Sequence, residues 1–567
     1  MAATAIFDLS RRVHEDEDMQ LKAQRITEEN EVQRQTLQEQ DSEFQHLYQD
    51  PSPQYQQQAQ FVPATPASAL KRQHPDAHLG TVERLPDKVL QLIFSYLHPR
   101  QILIAGRVCR HWKSIAYTPS LWRSISFRTT HGGLQVTNID YLTHLIGTRF
   151  TEMTSTELPT ELITPNVLHE LANKCPKLNS LTLDFSTAMQ LSQDFGDLQS
   201  FPSRLQTLTI CLSENIFLEG FLRKVYTFIS SVEFLQVFGT YEKVEDEEEE
   251  VYETLNFYKL KQYLPNLRVV NLWGVPFVTD DHVDALSSNT AHLECLCINY
   301  CTKVTGNCLK LLLQRCKRLK SLFLANTKLD NTIIQSLEWE KTKIEELDIR
   351  GTELSSETII NLLTRLNYLR WLDASWLENF TDQVLEAWMQ SGQINTLQYL
   401  SLDTCDLLNE NAITEFIIRH GHQLYGLNLG GHHKLLEYFW MNMIPKLRNI
   451  RVLVMGIAED CCSKVTAKIH VDQFIDCIAQ NCPHLTRLEV RWDEEVLRFS
   501  DKSSKFIDVL RMKCLKLHSI VLSDGQYYEL VRSNFERADR SSVVRSTEMC
   551  NTGLIHLSKF YNKLLFN

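Results

Sequence analysis

One short pattern recurs about every 26 residues along most of this chain of 567 residues. The pattern is L-x-x-L-x-L, and apolar residues alternating in this way are typical of a strand with one buried face. Thirteen copies start at Leu178, Leu205, Val232, Leu267, Leu293, Leu319, Ile344, Leu369, Leu397, Leu424, Ile450, Leu485 and Leu517, and a weaker copy starts at Phe150. Most intervals lie between 25 and 28 residues, which favours a repeat array over unrelated strand–helix units.

A capped amphipathic segment follows several of these strands. Examples begin at Thr279, Thr305, Ser355 and Thr381, and Thr or Ser accepts hydrogen bonds from the free amides at a helix start. One strand and one helix per repeat predict an α/β fold: a curved leucine-rich-repeat solenoid with a parallel concave sheet and convex helices. We expect about 13 repeats over residues 128–530, and a C-terminal cap or tail over residues 531–567.

Before the array, residues 85–127 contain three short helical segments, separated by Pro99 and Pro119. Two apolar stripes run along the first segment, one of Leu90, Ile93, Phe94 and Leu97 and the other of Val89, Leu92 and Tyr96. The third helix can cover only one of them, and a unit of about 43 residues rarely stabilises itself without a partner. The second stripe is therefore predicted to dock another protein, unless it packs on the repeat array.

The same segment resembles the F-box family. The resemblance rests on Leu85-Pro86, Ile93-Phe94 with Leu97, Val108-Cys109-Arg110 with Trp112, and Leu121-Trp122. Gln101 departs from the family pattern, because many members carry Asp there. The resemblance implies an F-box over residues 81–127 that binds a Skp-type adaptor and, through it, a cullin. The implied adaptor-binding residues are Leu85, Pro86, Leu90, Ile93, Phe94, Leu97, Val108, Cys109, Trp112, Leu121 and Trp122.

The repeats resemble the cysteine-containing type found after F-boxes, with Cys175-Pro176, Cys316 and Cys482-Pro483 at repeat starts and Cys301 and Cys405 after strands. An F-box followed by such repeats resembles the substrate receptors of Skp–cullin–F-box ubiquitin ligases. The resemblance implies a non-catalytic subunit that binds a protein substrate for ubiquitylation and proteasomal degradation. Two alternatives remain: a scaffold or inhibitor that binds the adaptor without ubiquitylation, and an enzyme with its site in the concavity.

Side chains at positions three, five and seven of each repeat are predicted to point into the concavity, opposite to the leucines. Exposed aromatic and Arg side chains are enriched at binding surfaces, and acidic neighbours would favour a basic partner. The predicted substrate-binding residues are Trp273, Phe323, Glu346, Asp348, Arg350, Trp371, Asp373, Tyr399 and Asp403. In the alternative, the C-terminal tail or packing of the convex loops covers these aromatic residues.

The net charge of −12 is concentrated in two acidic segments, residues 1–50 and 242–253. The rest is nearly neutral and has no basic face for phosphate, so nucleic acid is not an expected partner. Residues 1–80 are polar and rich in Gln and are predicted to be disordered, while residues 242–253 are predicted to form a solvated loop. No apolar segment reaches the length of a membrane span and no secretory signal is visible, so we expect a cytoplasmic or nuclear protein that binds no membrane.

No pattern for catalysis, phosphate binding or metal binding stands out. The chain has neither a G-x-x-x-x-G-K loop nor an H-E-x-x-H helix. Cys295, Cys297 and Cys301 lack the paired spacing of zinc sites. We therefore expect no metal, no cofactor and no enzymatic activity, and we interpret most of the 15 cysteines as buried thiols.

Overall fold

The structure is a computed structural model that describes residues 85–129, 132–188, 191, 194–213, 216–240, 253–457, 468–500, 503–536, 542–547 and 553–561. The predicted disordered region 1–80 lies outside the described residues. So does the predicted acidic loop 242–253, apart from Glu253.

Three short helices and one strand form the segment that resembles an F-box. They are α1 (Asp87–Phe94), α2 (Pro99–Ala105), α3 (Arg110–Ala116) and β1 (Ser124–Ser126). Pro99 occupies the first helical position of α2, where its missing amide hydrogen is not needed. The ring of Phe94 packs edge-on against the ring of Trp112, 5.3 Å away, and so joins α1 to α3.

A single parallel sheet runs through the described part of the chain after α3. Its sixteen described strands are β1, β2 (Ser155–Pro159), β3 (Ser180–Asp184), β4 (Thr207–Cys211), β5 (Phe234–Phe238), β6 (Val269–Asn271), β7 (Cys295–Cys297), β8 (Ser321–Phe323), β9 (Glu346–Asp348), β10 (Trp371–Asp373), β11 (Tyr399–Ser401), β12 (Gly426–Asn428), β13 (Val452–Met455), β15 (Arg487–Val490), β17 (Ser519–Leu522) and β18 (Val543–Ser546). A separate pair, β14 (Ile469–His470) and β16 (Leu497–Arg498), completes the set.

Convex helices connect the strands. They are α4 (Ile139–Thr148), α5 (Pro165–Lys174), α6 (Glu219–Val225), α7 (Phe257–Tyr263), α8 (Asp280–Ser287), α9 (Leu309–Arg315), α10 (Asn331–Ser336), α11 (Ser356–Arg365), α12 (Asp382–Ser391), α13 (Glu410–His420), α14 (Glu437–Met443), α15 (Val471–Asn481), α16 (Ser503–Lys513) and α17 (Gln526–Phe535). This arrangement confirms the predicted α/β solenoid.

Strand register follows the repeat pattern. In the centre of the sheet Glu346 pairs with Trp371, and Trp371 pairs with Tyr399. Each of these is position three of its repeat, so the leucines of neighbouring repeats stack in one core. Leu347, Leu372 and Leu400 are fully buried there. The alternation of apolar residues therefore sets which side chains face the concavity.

The leucine pattern did not predict three of the strands correctly, namely β1, β2 and β18. The repeat of β1 carries the buried Trp122, Ile125 and Phe127 where other repeats carry leucine. β2 carries Thr156 at one leucine position and begins at Ser155, so the weak copy placed at Phe150 was in the wrong register. β18 pairs with β17. The sheet therefore continues beyond residue 530, where we had predicted that the solenoid ends.

Helix caps partly follow the prediction. The side chain of Ser355 accepts the amide hydrogen of Thr358 at the start of α11. Thr305 does not cap α9, which begins only at Leu309. Asp280 of the preceding repeat instead accepts the amides of Thr305, Gly306 and Cys308 at 2.8–3.0 Å.

Cysteine is mostly a core residue in the described chain. Cys109 is exposed, while the other eleven described cysteines are buried. Cys301 and Cys405 donate from Sγ to the backbone oxygens of Leu272 and Ala374, at 3.1 and 3.2 Å. Burial raises the pKa of both thiols well above its ordinary value, which keeps them protonated and unreactive at neutral pH.

Candidate protein-binding surfaces

A stripe of apolar side chains lies exposed on α1. Val89, Leu92, Ile93 and Tyr96 follow helical spacing, and the exposed fraction rises from 40% at Val89 to 83% at Tyr96. Two further apolar side chains of the same unit, Ile104 and Val108, are also exposed. We call these six residues the α1 stripe; it is the apolar surface expected of a docking site.

Three predicted adaptor-binding residues belong to the core instead. Leu90, Phe94 and Trp122 are at most 1% exposed. Trp122 also donates from its indole nitrogen to the backbone oxygen of Ala116 at 2.8 Å. These side chains stabilise the helical unit, and their low exposure leaves little surface for a partner. Leu90 and Phe94 lie on the inward face of α1.

The other predicted adaptor-binding residues differ in accessibility. Ile93, Val108, Pro86 and Cys109 are exposed, and Leu85, Leu97, Trp112 and Leu121 are partly buried. Val89, Leu92 and Tyr96 therefore contribute much of the exposed apolar surface of this unit, although the F-box motif did not include them among the adaptor-binding residues.

On the concave face, the predicted substrate-binding residues lie across the repeats of β6 to β11, as the strand register requires. They are not open to solvent. Phe323, Asp348, Trp371 and Asp373 are at most 2% exposed, and Glu346 is 7% exposed. Trp273, Arg350, Tyr399 and Asp403 remain partly exposed.

A segment from the C-terminal end of the chain covers this patch. Residues 553–561, which we call the tail segment, form one 3-10 turn (Gly553–Leu557) and continue to Tyr561. Ile555, Phe560 and Tyr561 form an apolar cluster with Phe323 and Trp371. The tail segment therefore covers the centre of the predicted substrate patch, as the alternative describes, and substrate binding at this face stays a prediction.

The hydroxyl of Tyr561 enters a polar pocket in the middle of the sheet. It accepts hydrogen bonds from Asn299 Nδ2 at 2.8 Å and from Arg350 Nη2 at 2.9 Å, and it donates to Asp348 Oδ2 at 3.2 Å. A phenol offers one hydrogen and two lone pairs, so all its hydrogen-bonding capacity is used.

Glu346 holds the backbone of the tail segment. Its carboxylate accepts from the amide of Lys559 at 2.6 Å and from Ser558 Oγ at 3.1 Å, and also from Ser321 of its own sheet. Ser558 Oγ in turn accepts the amide hydrogen of Tyr561 at 3.0 Å. The segment is thus fixed at three successive points.

Apolar contacts hold the first half of the tail segment. Trp371 donates from its indole nitrogen to the backbone oxygen of Leu554 at 3.1 Å. The Leu554 side chain packs on Val452 and Val454. Gly426 lies beneath the side chains of Leu554 and Leu557. A Cβ atom at this position would come within 2.9 Å of Leu557 and 3.0 Å of Leu554. The glycine leaves the space that these two leucines fill.

The acidic groups of the patch are neutralised within the chain. Arg350 pairs with Asp348 at 3.3 Å and with Asp373 at 3.8 Å. Burial raises the pKa of Asp348 to about 6, while Arg350 opposes this shift and Asp373 adds to it. The predicted attraction for a basic partner is therefore largely consumed by Arg350 and the tail segment.

Sequence reasoning missed Asn299, Ser558 and Tyr561 as parts of this site. Asn299 stands at position seven of its repeat, so the pattern places it in the concavity but gives it no role. The aromatic pair Phe560-Tyr561 is the one signal that the tail segment packs against something.

Among the described residues, no cluster of three or more His, Cys, Asp or Glu residues could hold a metal ion. None of the helices described is both long and apolar enough to span a bilayer.

Comparison with known proteins finds a family match over the helical unit. Residues 82–128 match the F-box-like family model. This match covers the helical unit, and the leucine-rich repeats follow it in the chain.

Among curated proteins, F-box/LRR-repeat protein 12 of Homo sapiens is 28% identical over 139 residues, and that of Bos taurus is 27% identical. These matches cover 23% of this chain and 40% of each relative's length.

Two solved structures show limited similarity. The chain matched in the yeast Rad7–Elc1 complex is 17% identical, with a TM-score of 0.42, covering 81% of this chain and 92% of that one. An internalin (InlF) of Listeria monocytogenes is 13% identical, with a TM-score of 0.32, covering 69% of this chain and 91% of that one.

Proposed function

We propose that this protein is the substrate-recognition subunit of a Skp–cullin–F-box ubiquitin ligase. In this proposal the α1 stripe docks a Skp-type adaptor, and the concave face of the solenoid binds a protein substrate. The exposed apolar α1 stripe is the observation that carries the proposal, together with the F-box-like match over the same residues.

The α1 stripe exposes large apolar side chains to water, and a bound partner would remove this unfavourable exposure. Leu92 and Tyr96 are more than half exposed on a helix whose opposite face, Leu90 and Phe94, is fully packed. Covering large apolar side chains is worth about 1.5–3 kcal/mol each. An adaptor that buries the stripe would therefore gain affinity without any change in the fold of the helical unit.

The solenoid suits the role of a spacer. A receptor subunit needs no catalytic group, because it raises the effective concentration of a substrate lysine near a conjugating enzyme held elsewhere. Stacked repeats with a continuous sheet hold such a distance more rigidly than a flexible linker does.

A second candidate function is an adaptor-bound scaffold or inhibitor without ubiquitylation. The tail segment favours it, because Ile555, Phe560 and Tyr561 occupy the centre of the concave face. A receptor whose recognition surface is permanently filled would bind the adaptor but deliver no substrate there.

Co-purification tests the proposal directly. The full-length chain and its Leu92→Asp, Tyr96→Asp double variant are isolated from cells and probed for the adaptor and cullin. Leu311→Asp is the matched control, because Leu311 is an exposed leucine of the solenoid. We expect the wild type and the control to retain both proteins and the double variant to lose them.

Retention of the adaptor by a folded double variant would refute the docking role of the stripe. Ubiquitin transfer separates the two candidate functions. Proteins that accumulate with the double variant, and are ubiquitylated by complexes of the wild type, identify a receptor. A complex with cullin that transfers no ubiquitin to any captured protein identifies the scaffold.

A further inference from the structure

We propose that the centre of the concave face is a docking site for a short protein segment that contains an unphosphorylated Phe-Tyr pair, and that the tail segment is its occupant in cis. A substrate segment of the same chemistry replaces the tail segment in the open state. The identity of that partner as a ubiquitylation substrate rests on the proposed function, but the docking site itself does not.

The polar pocket selects the tyrosine hydroxyl. Asn299 and Arg350 donate to it and Asp348 accepts from it, so a phenylalanine would remove one hydrogen bond from each of these three buried polar groups. Phosphotyrosine is disfavoured for a different reason: its negative charge would face the carboxylates of Asp348 and Asp373, and Arg350 is already paired with both.

The aromatic and aliphatic surfaces select the rest of the segment. The ring of Tyr561 lies 4.7 Å from that of Phe323 and 5.9 Å from that of Trp371. Leu554 and Leu557 fill the space above Gly426. Five residues separate the first of these leucines from Phe560, which sets the spacing a competing segment must match.

The contacts to the backbone do not depend on side chains of the segment. Glu346 accepts the amide of Lys559, and the Trp371 indole donates to the carbonyl oxygen of Leu554. Any segment that adopts the same turns offers this amide and this carbonyl group. A peptide in trans can therefore make them as well as the tail segment does.

The tail segment can leave without breaking the sheet. β9 pairs with β8 and β10, and β11 pairs with β10 and β12, so these ladders are complete without it. Its departure exposes Glu346 and Asp348, which are charged groups that water solvates well. Opening is therefore a local event with a lower free energy than unfolding of the repeats.

Occupation in cis sets the affinity for partners. A segment tethered to its own site acts at an effective concentration of about 1 mM. An isolated peptide with equal contacts competes poorly against it, and weakening the tail segment should reveal the site.

Peptide binding to the full-length chain tests this. A fluorescent peptide with the sequence of residues 553–561, GLIHLSKFY, is titrated with wild type, Tyr561→Ala and Tyr438→Ala, and binding is followed by anisotropy. Tyr438 is 81% exposed on the convex side and serves as the control. We expect Tyr561→Ala to bind at least about tenfold tighter than wild type, and the control to match wild type.

Peptide variants test the chemistry of the site. A peptide ending in Phe should bind the Tyr561→Ala chain at least about fivefold more weakly, and one ending in phosphotyrosine should bind more weakly still. Adding Gly426→Val to the chain should abolish binding. A folded Tyr561→Ala chain that does not bind the peptide, or binds all three peptides equally, would overturn the proposal.

Hydrogen exchange on the wild-type chain keeps the proposal testable if a variant misfolds. The amides of Lys559 and Tyr561 should exchange at least about a hundredfold faster than those of β9 to β11, through local opening. Equal protection would make the tail segment a permanent part of the fold and would overturn its exchange with a partner.

Adaptor capture on the same preparations separates the two proposals. Normal adaptor retention without peptide binding overturns only the docking site. Peptide binding without adaptor retention overturns only the ligase role.

Discussion

The hydroxyl of Tyr561 donates a hydrogen bond to the carboxylate of Asp348, 3.2 Å away in space and 213 positions away in the chain. This contact fastens the last described segment to the middle of the repeat array. The centre of the concave face is thus filled by a segment of the same chain.

Tyr561→Phe should loosen the tail segment while leaving the repeats folded. The substitution removes one hydroxyl and leaves Asn299, Asp348 and Arg350 without their shared partner, at a cost of about 1–3 kcal/mol. Exchange of the amides of residues 558–561 should accelerate by the corresponding factor of roughly 5–150. Tyr438→Phe, at an exposed site, should change nothing. Unchanged exchange in Tyr561→Phe would show that the hydroxyl does not hold the segment.

Asp348 should make stability depend on pH between about 4 and 6. Burial raises the pKa of this carboxyl to about 6 in the folded protein, above its unfolded value of about 3.9. The neutral carboxyl therefore contributes stability at acidic pH, and this contribution is lost as the pH rises to about 6. Arg350, Asp373 and Tyr561 are the charged or titratable groups beside it.

Asp348→Asn tests this dependence by urea unfolding at pH 4.5 and pH 7. The substitution also alters contacts, but a loss of stability that does not depend on pH cancels when the values at pH 4.5 and pH 7 are subtracted. The free energy of unfolding of the variant minus that of the wild type should be about 2 kcal/mol higher at pH 7 than at pH 4.5. An equal difference at both values would show that Asp348 does not titrate in this range.

Gly426→Val should displace the tail segment by steric conflict. The new side chain would overlap Leu554 and Leu557, while its own strand conformation is ordinary for valine. We expect the apolar contacts around Trp371 to open, with a change in tryptophan fluorescence and faster exchange in the tail segment. Gly220→Ala is the control, because open space surrounds that position. A native-like emission spectrum in Gly426→Val would contradict the packing described for the two leucines.

Leu90 and Leu92 should respond in opposite ways to the same substitution. Leu90→Asp places a charge in the core of the helical unit, where Leu90 is fully buried, and should unfold that unit at a cost above about 3 kcal/mol. Leu92→Asp lies at a site 57% exposed and should leave stability within about 0.5 kcal/mol. Thermal unfolding measures both. Equal destabilisation would mean that the α1 stripe is part of the core.

The F-box motif predicted the helical unit, but it contains both core residues of that unit and exposed residues that are open to a partner. Leu90, Phe94 and Trp122 were assigned to the adaptor, although they hold the unit together. A motif records which residue types recur and does not distinguish packing from contact. Helical spacing predicted the second stripe, of Val89, Leu92 and Tyr96, which the structure places on the surface.

The period of the leucines determined the solenoid, its strand register and the side chains that face the concavity, because side chains in a strand alternate between its two faces. Only the tertiary structure decided that Phe323, Trp371 and Asp348 are covered by residues 553–561. The reason is physical. The repeat rules describe contacts between neighbouring segments, whereas the tail segment reaches across about 200 residues through contacts that follow no period.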